Sequence, residues 1–517
     1  MISTLSSFWS RLLGVLGRLS MYRLVLFALV ALAVVALAIS FTGEVSADPL
    51  GIVATFAVLA VSILVVDAVA QRIVRRPWRI ESALITALIL VFVLRPTVEP
   101  LPLLGIALAG VFASASKYLL AWQGRHIFNP AAVGASALTI VSIWVPDLGS
   151  SWWWVGSPLL ALPVLILGLL VLTRTEKVRV VGLFLLVAVA VGILRTAVQV
   201  GGAGLPFDLG MTLSNVVLSS PFLFLGAFML SEPLTLPPRR WQQYLVAALV
   251  GVLAGWPISL GAVTLGQERA LLIGNLVAFL FAMRTAVRLT IVDRVALTPT
   301  VRELSFRAER PVSFAPGQYL ELEVPHAHPD SRGTRREFSI LSSPAELPLV
   351  KIAMRDGSQS SYKKALATVE PGDELAITGI WGDFVLPRRT SEPVLMVAAG
   401  IGVTPFVSQL RHLRLTGEAR DVVFVYVAST SDELAFRADL EDAGVPVVVV
   451  TRDEPAELPT GWTWAGGARL DADALVRLVP DIAARHAYVS GPPALIASLT
   501  PALERAKSIT TDAFAGY

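Results

Sequence analysis

Cysteine is absent from all 517 residues, and histidine occurs five times, at 126, 326, 328, 412 and 486. The first absence excludes disulfides, thiolate zinc sites and ordinary Cys-ligated iron–sulfur clusters. The second excludes a bis-His haem from the apolar half of this chain, where only His126 lies. Charge is scarce as well, at 16% Asp, Glu, Lys and Arg, and the net +3 is too small to argue for nucleic acid. If electrons cross this protein, an organic cofactor must carry them.

Apolar runs are abundant instead. A bilayer core of roughly 30 Å needs about 20 apolar residues per helical span. Ten runs qualify as candidates, near 22–41, 50–70, 81–94, 103–121, 130–145, 157–173, 178–199, 211–230, 242–259 and 270–289, the third and fifth being short. The first run lacks a small-residue cleavage site, so no cleavable signal peptide is expected. Basic residues follow the even runs: Arg72, Arg125, Arg174 with Lys177 and Arg179, and Arg239 with Arg240. The alternate breaks are acidic or neutral and hold Trp152, Trp153 and Trp154 as an aromatic-belt candidate. By the positive-inside rule both termini are expected in the cytoplasm. "EPLPL" after the third run faces "EPLTL" after the eighth, which suggests an inverted five-plus-five repeat; two ordinary Pro-rich loops would read the same. Asp67, Lys117, Arg284 and Arg288 fall near the cytoplasmic ends of their runs, where long basic chains can snorkel.

The stretch "GRHIFNPAAVG" (124–134) sets Arg125, His126 and Asn129 beside a helix-opening Pro130. Such a start leaves N–H groups to meet an anion or a flavin edge, with a plain capped loop as the competing reading. Together with "FMLSEPLT" (228–235), which carries Glu232 and Thr235, it resembles the membrane subunits of Rnf complexes and of Na⁺-translocating NADH:quinone reductases, the RnfD/NqrB-like family. The resemblance covers roughly residues 20–290 and implies ten helices and a membrane flavin, FMN or riboflavin. That family attaches FMN to a Thr in an S-G-A-T-type motif. Here the outward loop has Ser150, Ser151 and Ser157 but no Thr, and the look-alike "SLGAVTL" offers Thr264. A noncovalent flavin is therefore expected.

From about Ile291 the text changes to short alternating strands broken by Gly and Pro, the pattern of an antiparallel barrel. From about Pro393 apolar strands alternate with helical patterns, as in a parallel α/β layer. The expected organisation is a polytopic α-helical membrane domain (1–290), an antiparallel β-barrel domain (291–390) and an α/β parallel-sheet domain (391–517).

Four motifs lie in this half: "RREFSI" (335–340), "DGSQSSYKKAL" (356–366) followed by "GIWGDF", "AAGIGVTPF" (398–406) and "YVSGPP" (488–493). Arg suits phosphate geometry, and strand alternation puts Arg336 and Phe338 on one face. Gly400 and Gly402 let the chain turn beneath a phosphate, Thr404 can cap, and Pro405 fits a first helical turn. In this order the motifs resemble the ferredoxin–NADP⁺ reductase-like flavoproteins. The resemblance implies FAD held by Tyr319, Arg336, Phe338, Ser339, Gly357, Ser360 and Ser361. It implies NAD(P) held by Gly400, Gly402, Thr404, Pro405, Ser429, Gly491 and Pro492. Ser339 would bond near flavin N5, and Ser490 stands where the family usually has Cys beside the nicotinamide. The closing "TDAFAGY" implies that Phe514 or Tyr517 stacks on the flavin as a swinging cover. After the strand at 423–430, "STSDE" offers Asp432 and Glu433, which disfavour a 2′-phosphate; NADH is expected, with NADPH left open through Arg437.

The function expected is a multi-pass NAD(P)H dehydrogenase of the bacterial plasma membrane. Cytoplasmic NAD(P)H would reduce FAD, and electrons would pass into the bilayer domain. The acceptor would be quinone, or an extracytoplasmic flavinylated partner reached through a second flavin. The rival is a transporter or ion-translocating protein coupled to a redox module. No metal site is expected.

Overall fold

The computed structural model describes residues 21–73, 80–122, 125–175, 177–237, 239–261, 263–281, 286–327, 329, 333–356, 360–467 and 470–513. Gly357, Phe514, Tyr517, Arg284 and the Arg125 side chain lie outside that description. The described residues form two compact units, 21–281 and 286–513.

The apolar unit is helical: α1 (Met21–Ser40), α2 (Pro49–Ile73), α3 (Ile80–Val93), α4 (Pro100–Leu119), α5 (Pro130–Val141), α6 (Pro158–Thr175), α7 (Val178–Gly202), α8 (Leu209–Leu218), α9 (Phe222–Phe224, continued by a π-helical turn Leu225–Leu230), α10 (Arg240–Gly255) and α11 (Gln267–Leu280). A two-stranded hairpin precedes α5 (β1, Ala121–Trp122; β2, Arg125–His126), and another precedes α11 (β3, Ile258–Leu260; β4, Val263–Leu265). Among the described residues α1, α2, α4 and α7 are long and apolar enough to cross a membrane, and α8 with α9, bent by 45°, makes a fifth if counted as one span. Length and composition thus support four or five of the ten expected spans. The remaining helices are shorter, and two of them, α5 and α6, open on Pro, which is preorganised for a first helical turn but cannot extend a preceding one.

Small residues set the packing. A Cβ on Gly134 of α5 would lie 2.4 Å from the Ala109 carbonyl oxygen of α4. Added to Gly251 and Gly255 of α10, it would lie 3.0 and 2.8 Å from the Phe184 and Ala188 carbonyls of α7. Only a bare backbone permits such approaches.

Two expectations for this half are corrected. Trp153 and Trp154 are buried rather than forming a belt; their indole N–H groups donate to Glu268 Oε2 (2.9 Å) and to the Val91 carbonyl (2.6 Å). A buried indole needs such a partner, and only Trp152 of the three is exposed. The tenth run does not continue to 289 as helix: α11 stops at Leu280, and a strand starts at Val287. Val287, Leu289 and Ile291 are buried at alternate positions, a period of two that a helix cannot place on one face. Arg288 faces the other way and pairs with Glu374 at 3.3 Å, so it does not snorkel.

The second unit opens with six antiparallel strands: β5 (Val287–Ala296), β6 (Val301–Ala308), β7 (Tyr319–Glu323), β8 (Arg335–Ser339), β9 (Leu349–Arg355) and β10 (Glu374–Trp381). They are ordered β8-β7-β10-β5-β6-β9. Helix α12 (Ser361–Ala367) packs on them through Tyr362 and Leu366, both fully buried. A parallel sheet follows, ordered β14-β13-β12-β11-β15-β16: β11 (Val394–Ala399), β12 (Val422–Val427), β13 (Val447–Val450), β14 (Trp462–Trp464), β15 (His486–Gly491) and β16 (Ser508–Ala513). Helices α13 (Thr404–Thr416), α14 (Arg437–Asp442), α15 (Ala472–Leu478) and α16 (Pro493–Leu503) connect these strands. Val394, Met396 and Ala398 of β11 enter one apolar core, while Leu395 and Val397 enter another. A strand buried on both faces reads as a continuous apolar run, which is how "VLMVAA" reads. Barrel and sheet are locked by Tyr488 Oη donating to the Val385 carbonyl (2.8 Å) and Gln409 Nε2 donating to the Phe384 carbonyl (2.7 Å).

Candidate functional site

Strand order fixes the first site. From β11 the chain winds outward through β12, β13 and β14, then returns to lay β15 on the opposite side of β11. The crevice beyond the C-terminal ends of β11 and β15 is therefore the topological switch point, where open parallel sheets bind ligands. The "AAGIGVTPF" and "YVSGPP" turns occupy its two walls. Gly400 adopts φ +54°, a left-handed conformation suited to glycine. Thr404 opens α13, its hydroxyl donating to the Ile401 carbonyl (3.0 Å), and Pro405 takes the first turn. A Cβ on Gly402 would stand 2.4 Å from the Ser490 carbonyl oxygen; one on Gly491 would stand 2.8 Å from the Ala399 Cβ. The two loops touch through glycine. Ser490 is fully buried, and its Oγ has no hydrogen-bond partner among the described residues. A buried hydroxyl left unbonded costs free energy, so this atom fits a role toward a bound group. Pro492 caps α16 with its extended backbone, and Ser429 stands exposed beyond the end of β12.

The barrel holds the second cluster. Strand register sets Tyr319 of β7 opposite Ser339 of β8. The Tyr319 ring meets Trp381 edge-on at 5.8 Å, and burial, then the charges of Glu337, Asp512 and Asp383, push its phenol pKa up. Asp512 belongs to β16, whose last residue, Ala513, pairs with Gly491. That strand delivers the chain to the same end of the sheet.

Arg336 and Phe338 share a face, as alternation requires, and what joins them is Tyr362. The Arg336 guanidinium lies 5.0 Å above the Tyr362 ring, and Phe338 stacks on that ring at 6.0 Å and 28°. Arg336 also donates to the carbonyls of Gly333 (3.0 Å) and Arg335 (2.6 Å). Burial raises the Tyr362 phenol well above its usual value, and its Oη donates to the Leu322 carbonyl (2.9 Å). Ser360 stands at the N-cap of α12; Ser361 Oγ meets His326 Nε2 at 3.2 Å. Tyr362 and Trp381 are not among the residues singled out from sequence. Tyr362 lies two residues past Ser360 in the quoted motif, and a lone aromatic in a basic stretch gives little sign that it will be the post under the arginine.

The apolar unit holds the third cluster. Helix α5 begins at Pro130 with Asn129 as its N-cap, the Asn129 side chain accepting from Ala132 N (3.1 Å). The same side chain donates to Glu232 Oε2 (2.9 Å), and Glu232 Oε1 meets His126 Nε2 at 2.8 Å. Asn275 of α11 accepts from Asn129 N (2.8 Å). Thr235 is buried and donates to the Glu232 carbonyl (3.3 Å). His126, Asn129, Ser231 and Glu232 line a cavity together with Tyr22, Ser82 and Thr86. Asp67 and Lys117 do not snorkel: both are buried, their charges 3.4 Å apart. Lys117 Nζ also reaches the Ser82 carbonyl (3.3 Å), and Ser114 Oγ donates to Asp67. Thr264, the covalent-flavin look-alike, is exposed on β4, its Oγ1 3.0 Å from Ser259 Oγ. No group of three or more His, Asp or Glu able to hold a metal occurs among the described residues.

Comparison with known proteins bears on the second unit. Residues 396–500 match the oxidoreductase NAD-binding domain. The chain is 27% identical over 212 residues to the reductase component of propane 2-monooxygenase from Mycolicibacterium goodii, covering 39% of this chain and 60% of that protein. It is 32% identical over 207 residues to the glycine betaine monooxygenase reductase subunit of Chromohalobacter salexigens, covering 37% and 53%. With the flavohemoprotein of Bacillus subtilis it shares 28% identity over 191 residues, covering 36% and 47%. The chain thus spans 47 to 60% of the length of these relatives. Its second unit thus sets an oxidoreductase NAD-binding domain behind a six-stranded antiparallel sheet.

Proposed function

We propose that this protein is a membrane-bound NAD(P)H-dependent flavoprotein dehydrogenase of the bacterial plasma membrane, taking electrons from cytoplasmic NAD(P)H into its apolar unit. The observation that carries the reading is the Gly402–Ser490 contact at the switch point, where glycine clears the floor of a nucleotide crevice and a buried hydroxyl has no hydrogen-bond partner among the described residues. Bound FAD and nicotinamide supply the hydride and electron chemistry; the chain supplies position and electrostatics. Arg336, propped on Tyr362, offers a fixed cation to the FAD pyrophosphate. Tyr319 and Ser339, paired across β7 and β8, stand beside the flavin. Gly400 to Thr404 present backbone N–H groups at the start of α13 to a second pyrophosphate. Ser490 Oγ donates a hydrogen bond toward the nicotinamide.

Within the apolar unit, the acceptor site is the cavity walled by His126, Asn129 and Glu232. Its occupant is a quinone, or a second flavin, FMN or riboflavin held without a covalent bond, that serves an extracytoplasmic acceptor. Polar groups held in apolar surroundings by one another are the usual mark of a functional site in a membrane. The test uses the full-length protein. Flavin released on denaturation is counted per chain, and bleaching by NADH is followed. Two flavins, both bleached, support the second-flavin route; one flavin with quinone reduction supports the quinone route. A colourless protein inert to NADH after FAD is added overturns the reading, as does an Arg336→Ala variant that keeps its full FAD complement.

A second reading, an ion-translocating protein coupled to the redox module, is favoured by the buried Asp67–Lys117 pair. NADH-driven ion uptake into proteoliposomes that disappears in Asp67→Asn, with NADH oxidation retained, would support it.

A further inference from the structure

We propose that Asp453, at the end of β13, makes the reductase unit select NADH and reject NADPH. The inference rests on the nicotinamide reading above and assigns the nucleotide class taken by the same site. With phosphates at Gly400–Thr404 and nicotinamide toward Ser490, the adenosine half of a dinucleotide extends the other way, over the end of β12, where Ser429, Thr430 and Ser431 lie. That geometry follows from the strand order, β12 being the neighbour of β11 opposite to β15. The residues involved fall within the stretch matched as NAD-binding.

There the backbone and hydroxyl donors of Ser431 are already used. Ser431 N donates to both carboxylate oxygens of Asp453, at 3.1 Å each, and Ser431 Oγ donates to the same carboxylate. Thr451 Oγ1 donates to the Asp453 carbonyl (2.7 Å), and Arg452 N donates to the Ser429 carbonyl (3.4 Å), so the two loops are tied together. The surrounding charges are mixed, Glu433 pairing with Arg355 at 3.7 Å and the exposed Arg452 adjoining Asp453. Asp432 is exposed on the same loop, and Glu433 is fixed by Thr300 Oγ1 at 2.6 Å. The cation that sequence offered to a phosphate, Arg437, points its Nη2 at the Glu457 carbonyl. The hydrogen bonds from Ser431, and to a lesser extent the adjoining Arg452, lower the Asp453 pKa, so that carboxylate stays ionised at neutral pH. A carboxylate accepts a hydrogen bond from a ribose 2′-hydroxyl and repels a phosphate in its place; an acidic residue plays this part in other dinucleotide folds, but usually from the strand next to the glycine turn. Here it comes from one strand further out.

The test measures kcat/KM for NADH and NADPH on the full-length protein with ferricyanide as acceptor, which bypasses the apolar unit. The wild type is expected to favour NADH by at least about tenfold, since like charges set face to face are strongly penalised. Asp453→Asn and Asp453→Ser are expected to lower the NADH:NADPH ratio by about tenfold, with some loss toward NADH as the ribose contact weakens. Competition supplies a readout free of chemistry: 2′,5′-ADP should inhibit the variants more tightly than the wild type, and 5′-ADP should not. A wild type that uses NADPH as well as NADH overturns the proposal, and so do variants with an unmoved ratio. Oxidation of neither nucleotide by a flavin-loaded protein overturns the underlying reading as well.

Discussion

Gly402 sits under Ser490 with no room for a methyl group: a Cβ there would come within 2.4 Å of the Ser490 carbonyl oxygen and 3.0 Å of its Oγ. The clash is with backbone, so it cannot be relieved by turning a side chain. Gly402→Ala should push the two turns apart. Overpacking of this kind costs about 1–3 kcal/mol, and it falls on nucleotide binding because the turns are the crevice. The expected outcome is a KM for NADH raised by about five- to a hundredfold with FAD retained, measured by steady-state kinetics and flavin absorbance.

Ser490→Ala should separate stability from activity. The hydroxyl makes no hydrogen bond with described residues, so its removal forfeits none and relieves a desolvation cost of about 1 kcal/mol. Melting temperature should hold or rise, while the rate of flavin reduction by NADH in stopped flow should fall by tenfold or more, as for loss of a positioned donor. A slow enzyme with a lowered melting temperature would instead make Ser490 a packing residue.

Tyr362 should matter more than its place in a polar motif suggests. Tyr362→Phe keeps the ring under Arg336 and loses the bond to the Leu322 carbonyl, at a cost of about 1–2 kcal/mol in urea denaturation. Tyr362→Ala removes the post as well, with a cost of about 3–5 kcal/mol. If FAD affinity then falls far more in Ala than in Phe, the aromatic face is what positions Arg336.

The Asp67–Lys117 pair should behave as a unit. Asp67→Asn leaves a buried ammonium without its counter-charge, a loss of about 3–5 kcal/mol, read as a lower melting temperature in detergent. Removing both charges, as Asp67→Asn with Lys117→Met, should restore most of that stability. Failure of the double variant to recover would mean that the pair is not the relevant contact.

The reductase half was readable because its signals are local. "VLMVAA", "VVFVYV" and "VVVV" are strands by composition alone, and glycines mark the turns that follow. The charged contacts were not readable, since they depend on which helices or strands become neighbours. His126 and Glu232 are 106 residues apart, Asp67 and Lys117 50, Ser431 and Asp453 22. Each residue alone looks like a solvated polar group or a snorkelling chain. Helix limits in the apolar half failed for another reason: an apolar count does not distinguish a long span from a short helix followed by a strand. The alternation of Val287, Leu289 and Ile291 carried that information, but the apolar run before it masked the change of period.

The close approach of α10 to α7 constrains any working cycle of the apolar unit. Where Gly251 and Gly255 rest directly against the carbonyls of Phe184 and Ala188, sliding by even one residue would drive side chains into main chain. These two helices are a fixed spine. Whatever shifts when charge enters must shift elsewhere, by swinging side chains or moving loops rather than by shear along that seam.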